Sequence, residues 1–112
     1  MRVTPVRVVG LDGVEQIVVS NGHSCARRAG SVLCWGYNLE GELGNGTLES
    51  SSVPVEVVRV RDAIELAADG WQTCARRASG GVVCWGRNDD GALGIGVHAG
   101  YARVPTAVVG IE

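Results

Sequence analysis

The sequence has no lysine, no phenylalanine and few aromatic residues of any kind, which make up 4% of the chain. Its 10 basic and 12 acidic residues give a net charge of −2, and this near balance argues against nucleic-acid binding, which usually needs a basic excess. The scarcity of aromatic side chains counts against carbohydrate recognition, because sugars generally stack on aromatic faces. No run of 18 apolar residues occurs, so no helix is expected to span a membrane.

The N-terminus and the composition set further bounds. Met1 to Pro5 lack the apolar run of a signal peptide, so we expect either that the protein stays where it is made or that the chain was cut from a longer precursor. Hydrophobic residues make up 46% of the chain, enough for a packed core, and 17 glycines without a collagen period indicate many tight turns. Every basic residue is an arginine, which suits protein interfaces, although a GC-rich genome would explain it as well.

The sequence repeats itself after about 50 residues. Residues 24–29 match residues 73–78, and the Cys-Trp-Gly motif at 34–36 recurs at 84–86. Three copies of a valine-rich run follow prolines, at Pro5, Pro54 and Pro105. The offset is 49 residues at the first cysteine, 50 at the second and 51 at the last proline, so single insertions fall between the elements and the register within each element is kept.

Each copy reads as four short β-strands. We predict strands at 16–19, 24–28, 31–35 and 55–60 in the first copy, and at 64–68, 73–77, 81–85 and 106–109 in the second. Glycine-containing turns of two and three residues join the middle strands into hairpins. No segment keeps a helical period, so the fold class is all-β. Four strands per copy is the period of a β-propeller blade, and we predict two four-stranded antiparallel blades.

The repeat also predicts boundaries and a core. We place the first repeat at 1–52, the second at 53–103 and the start of a third at 104–112, a candidate closing strand for a neighbouring sheet. The residues that recur at equivalent core positions are predicted to be structural: Trp35, Trp85, Leu43, Leu93, Gly36 and Gly86.

The motifs carry a family resemblance. His23 to Ala26, Cys34 to Asn38 and Gly41 to Thr47 resemble the bacterial form of the regulator-of-chromosome-condensation repeat, and the second copy repeats the pattern over nearly the whole remaining chain. The resemblance implies a propeller, commonly of seven blades, that acts mostly as a protein-interaction platform. Glu42 and Ala92 stand where the family commonly has glutamine. The nucleotide-exchange activity of the founding member depends on a full propeller face, so we do not transfer that activity.

The four cysteines form two symmetric pairs. Cys25 and Cys34 are centred on the first hairpin turn, so they should face each other at a non-hydrogen-bonded position, where side chains are closest. Cys74 and Cys84 are centred on the second turn in the same way. We favour a disulfide in each pair, which implies an oxidising compartment and an extracellular or cell-surface parent protein. Buried thiols that pack as small hydrophobes are the alternative, and zinc is disfavoured by the spacing.

No catalytic residue, cofactor site or metal site is predicted. His23 and His98 are isolated histidines, expected in turns or at the surface, since a catalytic base needs a nucleophile or a carboxylate at hand. Glu40 and the pair Asp89-Asp90 occupy matching loop positions, where solvated acids are favoured over a weak cation site.

The candidate interface residues are of two kinds. Arg27 and Arg76 recur at hairpin ends, where they form either a basic rim for an acidic partner or the edge charge that discourages strand pairing. Trp71 has no counterpart in the first copy and lies near a turn, which makes it an interface candidate; Tyr37, Tyr101 and Arg87 are further candidates.

Two blades cannot close a ring, because propellers use four to eight. The leading hypothesis is a non-enzymatic protein-binding scaffold with specificity in loops 36–52 and 86–103, completed to six or eight blades by three or four chains. Its partners would be another protein or further copies, with no nucleic acid and no membrane. The alternatives are a binder of carbohydrate or another small ligand, a regulator of a nucleotide-binding protein, and a fragment of a longer propeller.

Overall fold

A computed structural model of the chain describes residues 11–88 and 100–108. Two four-stranded antiparallel sheets are formed, each with its strands side by side in chain order. The first blade contains β1 (Gln16–Val19), β2 (His23–Arg28), β3 (Ser31–Gly36) and β4 (Ser51–Glu56). The second blade contains β5 (Ala63–Asp69), β6 (Gln72–Arg77), β7 (Val82–Arg87) and β8 (Tyr101–Ala107). The prediction of two all-β propeller blades is confirmed, and the described residues include no helix able to cross a membrane.

The fourth strand of each blade begins earlier than we predicted. We expected β4 to start after Pro54, but it starts at Ser51 and includes the proline. Cys34 pairs with Val55, whereas Gly36, two residues on, pairs with Ser51, so β4 bulges between these positions. β8 repeats this bulge around its own proline. Proline lacks an N–H group and is tolerated at bulges of edge strands, so it does not mark the start of the strand here.

Residues 104–107, which open a third copy of the sequence repeat, do not form a free strand. They belong to β8, which pairs with β7 and completes the second blade. The sequence repeat and the blade are therefore offset by one strand. The valine-rich run that opens each copy of the repeat forms the last strand of the preceding blade. The candidate closing strand is already paired within its own chain, which corrects that prediction for residues 104–107.

The core lies between the two blades. Alternation along the strands places Cys25, Val32 and Cys34 on the face of the first blade that meets the second. The second blade packs against them with Leu66, Ala75, Val83 and Trp85, and all of these side chains are buried. Leu43, which arrives from the loop after β3, fills the same cluster. The main hydrophobic cluster thus joins two sheets that would each be one layer thick alone.

Candidate interaction site

Two of the predicted interface aromatics come together at one end of the blades. Tyr37 follows β3 and Trp71 lies in the turn between β5 and β6, with ring centroids 6.3 Å apart and planes tilted by 47°. Both rings cover Gly22, where a Cβ atom would lie 2.3 Å from a ring carbon of Trp71. Gly22 is the residue of the first copy that is equivalent to Trp71. A side chain at Gly22 would collide with the Trp71 ring, so only one of the two copies can carry a tryptophan at this position.

A shallow groove opens beside this aromatic pair. Its volume is about 390 Å³, and its lining consists of Gly22, Gly36, Tyr37, Ser50, Ser51 and Ser52. We call it the Tyr37 groove. Leu39 and Val53, on the loop and strand that flank it, are 69% and 55% exposed. An apolar surface with a rim of hydroxyl groups suits a protein partner, since exposed apolar residues grouped in this way commonly mark interaction sites.

The other two candidates of this kind lie at the same end of the second blade. Tyr101 is paired with Arg87 across the β7–β8 ladder, and both side chains are exposed. The Nε atom of Arg87 lies 3.8 Å from Oε2 of Glu40 in the loop after β3. Topology therefore brings all four candidates to one end of the blades, because β3 and β7 both end there and β5 turns into β6 there.

Much of the loop after β3 holds the blades together, although we expected residues 36–52 to confer specificity. Asn38 is fully buried, and its Nδ2 donates to the carbonyl oxygens of Thr47 and Glu49 at 2.9 and 3.0 Å. Its Oδ1 accepts from the backbone N–H of Leu43 at 2.9 Å. The loop is thereby closed on itself, with Leu43 directed into the core.

The tip of this loop clamps onto the second blade. The indole Nε1 of Trp85 donates to the carbonyl oxygen of Glu42 at 3.0 Å, and the Gly46 N–H donates to the carbonyl oxygen of Arg103 at 2.9 Å. Glu42 itself is buried, and its Oε1 accepts from the Glu40 N–H. Residues 41–46 are consequently structural, which leaves the flanks of the loop for a partner. Leu93 and Asp89-Asp90 of the second loop lie outside the described residues.

The two repeated tryptophans differ in burial. Trp85 is 0% exposed, as predicted for a core residue, whereas Trp35 is only half-buried. Trp35 lies on the face of the first blade that points away from the second blade, where residues 11–88 and 100–108 supply no loop that covers it as the loop after β3 covers Trp85. Gly86 is buried and Gly36 half-buried beside these tryptophans.

His23 is buried, contrary to our expectation of a turn or surface histidine. Its Nε2 lies 2.6 Å from Oγ1 of Thr73 in the second blade, and its Nδ1 lies 3.1 Å from Oγ of Ser20. Burial lowers the pKa of His23 from 6.5 to about 4, because desolvation disfavours the imidazolium. His23 is thus a neutral hydrogen-bonding residue between the blades. The repeat gave no signal for it, because its equivalent in the second copy is Gln72.

Burial of His23 predicts acid-sensitive stability. The pKa of His23 is about 4 in the folded chain and 6.5 when exposed, so the unfolded chain binds the proton first as the pH falls. The contribution of His23 to stability should be constant above pH 6.5 and decline from there towards pH 4, by roughly 3 kcal/mol. Urea unfolding followed by tryptophan fluorescence at several pH values measures this. His23→Gln, which copies the equivalent residue Gln72, should lose this part of the pH dependence; an unchanged slope would contradict the assignment.

The hairpin arginines are engaged within the chain. The Nε atom of Arg77 lies 2.7 Å from Oδ1 of Asp62, and Nε of Arg76 lies 3.0 Å from Oε1 of Glu65. The Nη1 atom of Arg27 lies 3.3 Å from Oε1 of Glu15. Hydrogen bonds from Ser79 and Arg77 hold the pKa of Asp62 at about 2. This arrangement favours the structural interpretation of Arg27 and Arg76 over a basic rim, because their charges already face carboxylates.

The cysteines face each other as the turn arithmetic predicts. Cys25 pairs with Cys34 and Cys74 with Cys84 across the two hairpins, with Cα–Cα distances of 4.0 and 4.1 Å. Both pairs are joined as disulfides in the structure. The first pair lies in the core between the blades, and the second lies on the outer face of the second blade.

We expect both disulfides to form in an oxidising environment and to stabilise the fold. Each closes a short loop, so each should contribute on the order of 2 kcal/mol. Removing the first pair with Cys25→Ala/Cys34→Ala should cost more than removing the second with Cys74→Ala/Cys84→Ala, because only the first leaves a cavity between the blades. Urea unfolding of the two double variants makes the comparison. Free thiols in the denatured, unreduced wild-type protein would contradict the pairing.

Comparison with known proteins agrees with this architecture. Residues 29–75 match the family described as regulator of chromosome condensation (RCC1) repeat. The chain is similar to a repeat of this type over that segment, and it is folded as two four-stranded blades of a β-propeller. It is 38% identical to the RCC1 domain-containing protein RUG3, mitochondrial, of Arabidopsis thaliana over 61 residues, which are 52% of this chain and 14% of that protein.

Solved structures show the same fold. Human WBSCR16 is 26% identical, with a TM-score of 0.81 over 91% of this chain and 27% of its own. Prp20p of Saccharomyces cerevisiae, studied for its binding to Gsp1p and histones, is 21% identical, with a TM-score of 0.76 over 95% of this chain and 27% of its own. Yeast RCC1 (Prp20) has also been solved bound to Kap60. The chain therefore spans about a quarter of the length of these propellers.

Proposed function

We propose that the chain is a non-enzymatic scaffold unit for protein interactions and that copies of it join head to tail into a closed propeller. One observation carries the proposal: each outer face of the two-blade unit is the equivalent of a face that is buried between the blades. The unit thus presents two unlike surfaces whose equivalents pack against each other between the blades.

The outer face of the first blade matches a buried face. We call it the head face, and its residues are Ile17, Ser24, Ala26, Leu33 and Trp35. Ile17 pairs with Ala26 across β1 and β2 as Leu66 pairs with Ala75 across β5 and β6, so Ile17 and Leu66 are equivalent. Ile17 is nevertheless 54% exposed, whereas Leu66 is 3% exposed. The difference in burial follows from the first blade, which covers Leu66 but leaves Ile17 at the surface.

The outer face of the second blade matches the other buried face. We call it the tail face, and its residues are Gln72, Cys74, Val82, Cys84 and Val108. Val82 and Val108 are half-buried, whereas their equivalents Val32 and Val57 are 0% and 1% exposed between the blades. The described part of the tail face is therefore largely apolar and carries the equivalents of residues on which the second blade already packs.

Because the head face and the tail face differ, copies can join head to tail and close into a ring. A head-to-tail contact is heterologous, and such contacts generate rings when the rotation between units closes. Each copy supplies two blades, and propellers use four to eight, so three or four copies would give six or eight. Each copy then repeats the Tyr37 groove at one end of the ring. The yeast propeller named for binding Gsp1p and histones supports a protein as the partner of that end.

Solution mass tests the proposal. Size-exclusion chromatography with light scattering should give three or four times the chain mass of 11.7 kDa, without reductant. The matched variant Tyr37→Ala lies outside both faces, so it should keep this mass. A wild-type protein that is folded and monomeric at every concentration would refute assembly from copies.

A further inference from the structure

The segment that links the two blades carries two arginines that break the sequence repeat. It comprises residues 57–62, between the end of β4 and the start of β5, and we call it the linker. Arg59 stands where both other copies of the valine-rich run are followed by glycine, and Arg61 stands where both have an acidic residue. The equivalents are Gly10 and Gly110 for Arg59, and Asp12 and Glu112 for Arg61.

Arg59 has a backbone conformation that suits glycine. Its φ is 65°, in the left-handed region, where the Cβ atom of an L-residue is disfavoured. Glycine at this position would avoid the cost. The exposed side chain of Arg59 makes no hydrogen bond or ion pair with another residue of 11–88 or 100–108 that would offset it. Backbone strain without a compensating contact is typical of positions kept for function.

Arg61 is also exposed, and no carboxylate of the described residues pairs with it. The hairpin arginines described above differ, since each of them contacts an acid. Asp62, the next residue after Arg61, is already engaged by the guanidinium of Arg77 and the N–H of Ser79. The linker therefore presents two guanidinium groups whose charges no described carboxylate balances.

Both arginines line one pocket at the surface. Its volume is about 160 Å³, and its lining consists of Glu56, Val57, Val58, Arg59 and Arg61. We call it the linker pocket. Val57 is buried and Val58 half-buried, so the pocket combines an apolar wall with two cationic groups.

The linker is fixed at both ends. The Val57 N–H donates to the carbonyl oxygen of Val32 at 2.9 Å, and the Ala63 N–H donates to that of Gly30 at 3.0 Å. Binding groups on a fixed backbone lose little conformational freedom when a ligand binds. Because β4 runs antiparallel to β3, the linker leaves the blade where β3 begins, whereas Tyr37 follows the other end of β3. The linker pocket and the Tyr37 groove thus lie at opposite ends of the blades.

We propose that the linker pocket binds a carboxylate in an acidic segment of a partner protein. A guanidinium fork donates two parallel hydrogen bonds to a carboxylate, and an apolar neighbour of the acid would cover Val58. Glu56 in the lining and the net charge of −2 disfavour a polyanion such as nucleic acid, which needs a basic stripe. The pocket is complete within one chain, so this second surface does not depend on the assembly of copies.

An NMR titration of the isotope-labelled chain tests the inference. The probe is a short peptide of alternating glutamate and leucine, blocked at both ends, and the control peptide carries glutamine in place of glutamate. The acidic peptide should shift the side-chain N–H signals of Arg59 and Arg61 saturably, whereas the control peptide should not. The affinity should fall as salt is added, since the contact joins exposed charges.

Arg61→Gln and Arg103→Gln form a matched pair of variants. Arg61→Gln should weaken binding of the acidic peptide by about 10-fold, because it removes charged hydrogen bonds. Arg103→Gln removes an exposed arginine of β8 that lies outside the linker pocket, so it should leave the affinity unchanged.

Arg59→Gly separates binding from structure. It copies the residue of the other two copies and should weaken peptide binding about as much as Arg61→Gln. It should keep or raise the urea concentration at the midpoint of unfolding, because glycine relieves the left-handed strain. A purely structural Arg59 would give the opposite result, a lower midpoint with unchanged peptide binding.

The outcomes decide the proposal in either direction. Saturable shifts at Arg59 and Arg61 that Arg61→Gln weakens and Arg103→Gln does not would support it. Equal binding of the two peptides, equal binding by Arg61→Gln and the wild type, or no saturable shift up to the solubility limit would overturn it. Tighter binding of a single-stranded oligonucleotide than of the acidic peptide would also overturn it, in favour of nucleic acid. A chain that stays monomeric would leave these readouts unaffected.

Discussion

Trp85→Ala is expected to destabilise the fold by about 3–5 kcal/mol, a large part of the stability of a small domain. Trp85 is fully buried between the blades, and its indole also anchors the loop after β3 through Glu42. The variant would leave a cavity at the centre of the interface and release the loop tip. Urea unfolding of single chains, at concentrations below assembly, measures the loss.

Trp35→Ala is the matched control. It removes the same side chain from the equivalent position of the first blade, where the ring is only half-buried. In a single chain it should cost clearly less than Trp85→Ala, because less apolar surface loses its cover. Equal losses in the two variants would contradict the assignment of one face as buried and the other as outer. In the assembled protein, Trp35→Ala should instead weaken the contact between copies.

Gly36→Ala is expected to cost about 3 kcal/mol or more, because the added methyl group has no space. A Cβ atom at Gly36 would lie 2.5 Å from the carbonyl oxygen of Gly22 and 2.9 Å from the Cα of His23. Both are backbone atoms of the paired strand and its turn, so relief would require the β2–β3 ladder to open. The same shift would displace Tyr37, and the Tyr37 groove with it. Thermal unfolding measures the effect.

Gly80→Ala separates the collision from the backbone strain. Gly80 has a φ of 105° and Gly36 a φ of 113°, so alanine is disfavoured in both by a similar amount, about 1–2 kcal/mol. No heavy atom of the described residues lies within 4 Å of a Cβ at Gly80. If Gly36→Ala lowered the free energy of unfolding no more than Gly80→Ala does, the close approach of the two strands at Gly36 would be contradicted.

The hairpins and the cysteine pairing were predictable because local signals determine them. The turn at Ala29-Gly30 sets the register of its strands, and the spacing of Cys25 and Cys34 about that turn places them opposite each other. The six strands away from Pro54 and Pro105 also lie within two residues of their predicted bounds. Period-two patterns and glycine turns are properties of neighbouring residues, so a single sequence is enough to read them.

Contacts between blades were not predictable in the same way. His23 looked isolated because its partner Thr73 is 50 residues away, at an offset that only the stacking of blades brings together. The clamp of the loop after β3 was missed for the same reason, since Glu42 and Trp85 are 43 residues apart. The bulge at Pro54 was missed because a proline marks a strand boundary in most settings and an edge bulge only in some.

The candidate site was located by sequence only in part. Trp71 stood out because it breaks the repeat, and it lies beside Tyr37, another candidate. Arg27 and Arg76 stood out because they recur, and they contact carboxylates instead. Recurrence alone therefore does not identify a binding residue, and a break in the repeat does so only in part, since His23 also breaks it and is buried between the blades.

The central claim is that copies of this two-blade unit close into a propeller through their head and tail faces. Electron-microscopy class averages of the assembled protein, viewed along the ring axis, test it most directly. The account predicts a closed ring of six or eight blades around a central channel, with two blades from each copy. Open filaments, two-fold dimers, or separate two-blade particles under all conditions would contradict it.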